Sequence, residues 1–161
     1  MITSIEKENI ETKPHHSEVI NLFNDMQWQH ETTMGNYFLK TKQNLLAMKH
    51  YKDALAISKN LFSQYQSEIK TTDSLVPIVV ISYLNLADFW RAQEKNTHQK
   101  NCLIHAFDYF VNAFDNVQSS GNLRNHISLG LNKIYPELII CLQQCGDLKT
   151  LEEKKNILLS L

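Results

Sequence analysis

With 161 residues, 43% of them hydrophobic and 20% charged, the chain has the composition of one folded domain rather than a disordered segment. A formal charge of −1 without any long basic run excludes an electrostatic footprint for nucleic acid or an anionic membrane. Four glycines and three prolines are too few to punctuate a many-stranded sheet but suffice for a handful of helix junctions.

Residues 1–16 are polar and lack a cleavable signal pattern, which predicts a flexible N-terminal tail followed by a single all-helical domain over 17–161. From Ser17, a suitable N-cap, Val19, Ile20, Phe23 and Met26 recur at the helical period. Thr32, Thr33 and Gly35 weaken a helix interior, so Ser17–Met48 reads either as two helices broken there or as one. His50-Tyr51 reads as a tight junction, and a helix from Lys52 follows with Ala54, Leu55, Leu61 and Phe62 on its apolar side. Thr71–Ser74 ends this pair and caps the next helix. The most apolar stretch, Leu75–Phe114, predicts two helices joined by a polar turn around Glu94–His98, and it is expected to form the central layer. Pro77, Asn85 and Asp88 interrupt its apolar run. After a loop over Asn116–Asn122, a helix from Leu123 to Gln144 carries Pro136, which predicts a kink or a division into two. Cys145-Gly146-Asp147 is a stop and restart before a last helix with Leu151, Ile157 and Leu158. No segment alternates with period two, so the fold class is all-α.

Three stretches can be superimposed in sequence. They are Phe38…Leu45…Tyr51…Ala54…Leu61, then Tyr83…Leu86-Ala87…Trp90…Leu103…Ala106…Phe110, then Tyr135…Leu138…Leu142…Gly146…Leu151…Leu158. Each has a bulky residue early in a first helix, a tight turn, and a smaller apolar residue early in a second helix. This pattern resembles the tetratricopeptide repeat family, best over Lys49–Phe62 and Tyr135–Leu158. The spacing of 52 from Ala54 to Ala106 and 45 from Ala106 to Leu151 departs from that family's period of about 34. The resemblance implies antiparallel helical hairpins stacked as a short solenoid; a closed antiparallel helical bundle is the alternative architecture. It also implies a concave groove lined by the first helix of each pair, where a peptide or partner protein binds. Leu39, Leu46, Ile81, Leu84 and Ile140 fall on that face, with Asn36, Gln43, Asp88, Arg91, Lys133, Gln143 and Gln144 as the polar partner-binding candidates.

No phosphate loop, nucleophile elbow or paired acid/base signature occurs, so the sequence gives no support for an enzyme, a cofactor or a metal centre. The leading reading is an adaptor or chaperone-like binder of another polypeptide. Cys102, Cys141 and Cys145 form no disulfide framework and suit a reducing, cytoplasmic setting. Cys141 and Cys145, four apart, read as small buried hydrophobes. Two other readings stand beside the leading one. A helical bundle could hold a small molecule or metal through Cys102, His105 and Asp108. A structural homodimer could form through whichever members of Phe89-Trp90 and Tyr109-Phe110 face outward.

Overall fold

The computed structural model describes residues 16–65, 75–116 and 121–161. The first helix, α1 (His16–Lys40), stops because Lys42 enters the left-handed region at φ 60°. The Lys42 N–H then donates to the Leu39 carbonyl at 3.1 Å and the Gln43 N–H to that of Phe38 at 2.8 Å, the paired closure of a Schellman turn. The chain turns back at once into α2 (Asn44–Tyr65). The same construction joins α3 (Leu75–Ala92) to α4 (Asn96–Asn116), with Glu94 at φ 56°, and α5 (Gly121–Gln144) to α6 (Leu148–Ser160), with Gly146 at φ 68°. Lys42, Glu94 and Gly146 stand 52 residues apart each time. The described residues therefore form three helical hairpins on a 52-residue recurrence, with no strand among them.

Several expectations change. α1 runs unbroken through Thr32–Gly35 and ends well before Met48, while His50 and Tyr51 lie inside α2. Gly35 serves close approach rather than a break, since a Cβ there would stand 2.6 Å from Tyr51 Cδ1. α5 is not divided at Pro136, whose side chain is exposed while Ile134 and Leu138 on either side are fully buried and hold both halves to one core. The third repeat register shifts as well. Ala54 and Ala106 each follow their turn by twelve residues, and the residue so placed in the last hairpin is Leu158, not Leu151. The tail over 1–15, Thr71–Ser74 and most of the loop before α5 lie outside the described residues.

Helix α3 packs against α2, α4 and α5, as its apolar surface requires. The main core gathers Leu61 and Phe62 from α2, Val79 from α3, Phe107 and Phe110 from α4, and Leu131, Ile134, Leu138 and Leu142 from α5. Full burial of each such side chain contributes about 1.5–3 kcal/mol. A smaller cluster of Ala47, Tyr51, Leu86 and Phe89 closes α2 onto α3. Gly130 of α5 lets α3 approach closely, since an added Cβ would lie 2.9 Å from Val76 Cγ1. By length and composition α3 is the one described helix apolar enough to cross a membrane, and half of it is buried within the fold.

Polar links cross the apolar layers. Trp28 Nε1 donates to Ser82 Oγ at 2.8 Å, tying α1 to α3. His50 Nδ1 donates to Glu31 Oε2 at 2.6 Å, tying α2 to α1. Two lysines hold α6 to α4: Lys100 Nζ donates to Asp147 Oδ2 and Lys154 Nζ to Asp108 Oδ1, both at 2.8 Å. Lys154 is nearly buried, and its ammonium stands 5.8 Å from the centre of the Phe107 ring. Asp147 also caps α6 by accepting from the Thr150 N–H, and these bonds, that of Lys100 first, hold its carboxyl down at about 2. Cys141 is buried as expected, whereas Cys145, at the outer end of α5, is exposed.

Candidate functional site

The stripe Pro77, Ile81, Leu84, Asp88, Arg91 recurs at intervals of four and three along α3 and so occupies one face. Its apolar half faces α5 across an open groove of about 340 Å³, floored by Val76, Val80 and Gly130 and walled on the α5 side by His126, Leu129 and Lys133. Small residues at the floor explain the hollow: Val80 and Gly130 bring the helix axes together without filling the space above them. Ile81 is 41% and Leu129 60% exposed, so apolar surface is open to solvent here.

The charged half of the stripe continues the groove. Arg91 Nη2 donates to Asp88 Oδ1 at 2.6 Å, and its Nη1 lies 3.5 Å from Glu137 Oε2 on α5. Arg91 thus joins the two walls and is shared by two carboxylates, while Lys133 makes no ion pair with any described residue. Of the seven polar candidates, Lys133 lines the groove, and Asp88 and Arg91 pair with each other further along α3. The other four sit elsewhere. Asn36 Oδ1 accepts from the Tyr51 hydroxyl at 2.7 Å and belongs to the contact of α1 with α2. Gln43 builds a turn, its carbonyl accepting from the Ala47 N–H and its Nε2 donating to Thr41 Oγ1. Gln143 and Gln144 are exposed at the end of α5, where the Gln143 carbonyl accepts from the Gly146 N–H.

Sequence reasoning missed Pro77, Leu129, His126 and Glu137. The four-and-three spacing from Pro77 to Arg91 could have disclosed the first. Leu129 and Lys133 share a face by the same rule, and with the true 52-residue register they coincide with Pro77 and Ile81. The trio Cys102, His105 and Asp108 is not assembled as a metal site. Cys102 Sγ donates to the Tyr83 carbonyl at 3.5 Å and Asp108 accepts from Lys154. No group of three or more His, Cys, Asp or Glu able to hold a metal ion occurs among the described residues. Of the adjacent aromatics, Phe89 and Phe110 are buried; Trp90 and Tyr109 are half-buried against them, each ring meeting its neighbour edge-on.

No curated protein and no solved structure matches the chain. Residues 26–158 match the model of a family described as "Protein of unknown function (DUF2753)", and since this is most of its length, the chain belongs to that family.

Proposed function

We propose that this protein is a cytoplasmic interaction module, without enzymatic activity of its own, that holds a segment of another polypeptide in the groove between α3 and α5. The observation that carries this reading is an open groove walled by exposed Ile81 and Leu129, with the cation of Lys133 at its rim. Exposed apolar surface of this kind is costly to keep unless something covers it. An apolar stripe flanked by a carboxylate complements it, the apolar side chains entering the groove and the carboxylate meeting Lys133.

We read the stacking of these hairpins as a short solenoid, which accords with such a role. The first helices of the second and third hairpins, α3 and α5, pack side by side, and each second helix packs on the first helix that follows. Three identical turns keep one register. In the last hairpin, 52 residues after Val76, Val80 and Leu103, stand the polar Ser128, Asn132 and Lys155, alongside exposed Ile140, Leu148 and Leu159.

Photocrosslinking from position 129 in cells, followed by titration of the synthesised captured segment, tests the proposal. The expected product is a segment of another protein bearing an apolar stripe and an acidic residue. Its affinity should fall about tenfold or more with Ile81→Glu, the loss of a well-buried contact. Crosslinks only to lipid or to a second copy, or binding indifferent to Ile81→Glu, would sink it.

A further inference from the structure

A different set of α3 residues, Tyr83, Leu86 and Trp90, floors a second cleft where α2 and α4 part. It consists of two adjoining hollows of about 300 Å³ each, with Lys59, Tyr83 and His105 bordering both. Tyr83 is only 5% exposed, and its hydroxyl has no hydrogen-bond partner among the described residues. That hydroxyl is not fully closed off, so it opens into the hollow as a donor that a ligand can reach.

The surrounding groups share one character. The Lys59 ammonium makes no ion pair with a described residue and rests 5.1 Å from the centre of the Tyr109 ring. Asn101, Asn112 and His105 bring further N–H donors to the rim. Asp108 is the only carboxylate in the lining, and Lys154 already neutralises it at 2.8 Å. Burial raises Tyr83 well above the ordinary phenol value and pushes Tyr109 up to about 12, so both keep their protons as donors. At the other end Leu55, Leu86 and Trp90 offer an apolar wall.

We propose that the cleft between α2 and α4 binds a small organic anion, a carboxylate or a phosphate monoester, held by Lys59 and the Tyr83 hydroxyl with its apolar body toward Trp90. This site is separate from the groove between α3 and α5 and does not depend on a peptide occupying that groove.

Phenyl phosphate, benzoate and neutral benzyl alcohol, each titrated into the full chain and followed by amide NMR, test the proposal. At least one anion should give saturable shifts centred on residues 59, 83 and 105, while benzyl alcohol gives none. Response to phenyl phosphate alone assigns a phosphate ligand, and to benzoate alone a carboxylate. Tyr83→Phe, which keeps the ring, and Lys59→Met, at a half-exposed position, should each weaken binding about tenfold with far-UV circular dichroism unchanged. Absence of saturation by either anion, equal binding of benzyl alcohol, or indifference to both substitutions would overturn it.

Discussion

Gly35→Ala sets two effects of opposite sign against each other at the contact of α1 with α2. In a helix interior, alanine is favoured over glycine by about 1 kcal/mol. Against this, the new methyl would stand 2.6 Å from Tyr51 Cδ1 and 2.7 Å from Cε1. Carbon atoms rest about 3.5–4.0 Å apart, so the ring would have to retreat by about 1 Å. It has little room to do so. Tyr51 is 2% exposed, its ring centre lies 6.2 Å from that of Phe89, and its hydroxyl donates to Asn36 at 2.7 Å. Overpacking of this kind costs about 1–3 kcal/mol, with about 1 kcal/mol more where the hydrogen bond is lost. The steric term wins, and a net loss of about 1–2 kcal/mol is expected. Thermal unfolding followed by circular dichroism should show Tm lower by roughly 3–6 °C for a chain of this size. In a Tyr51→Ala background the clash is gone, so adding Gly35→Ala should stabilise by about 1 kcal/mol, giving a coupling of about 2 kcal/mol or more in the double-mutant cycle. A wild-type background stabilised by Gly35→Ala, or an unchanged cost once Tyr51→Ala has removed the ring, would refute the reasoning.

Three further outcomes are expected. Lys154→Met should change stability by less than about 1 kcal/mol in urea titration, because the apolar stem stays against Phe107, whereas Asp108→Ala should cost about 1–2 kcal/mol by leaving a nearly buried ammonium without its main partner. A thiol reagent at mildly alkaline pH should label the exposed Cys145 first, with Cys102 and Cys141 slow, since burial pushes their thiols up to about 12 and about 11. Because the Asp147 carboxyl is held at about 2, below its ordinary value of 3.8, the cap contributes stability above that ordinary value and loses it as pH falls toward 2. Amide protection factors in the first turn of α6, corrected for the intrinsic exchange rate at each pH, should therefore fall across that window in the wild type and show no such fall in Asp147→Asn.

Where the chain punctuates itself with a familiar residue, the sequence was enough. Gly146 followed by Asp147 announced the last turn and its cap, and both are found there. The polar run near Glu94 marked the central turn, though not its left-handed residue. The first turn was missed because Lys42 carries no glycine signal; its conformation is imposed by the α1–α2 packing and costs a non-glycine residue about 1–2 kcal/mol. Thr32, Thr33 and Gly35 left a break open that the structure does not make, for the converse reason: local propensity yielded to the contact with Tyr51. At the groove, Ile81, Leu84 and Lys133 were reached through the repeat resemblance, with Asp88 and Arg91 further along the same α3 face. Leu129 was not, because a single sequence cannot tell an apolar side chain facing the core from one facing a groove.

The three tight turns bear on how such a chain reaches its native state. Broad packing joins each helix from α1 to α5 to its successor, α6 meets α5 less broadly, and only α3 and α5 meet to a comparable extent across an intervening helix. Little entropy is spent closing long segments, which favours rapid assembly in the microsecond-to-millisecond range typical of locally connected helical proteins. During synthesis the amino-terminal hairpin can zip up while later residues are still being added, so greasy side chains spend little time uncovered in the cell.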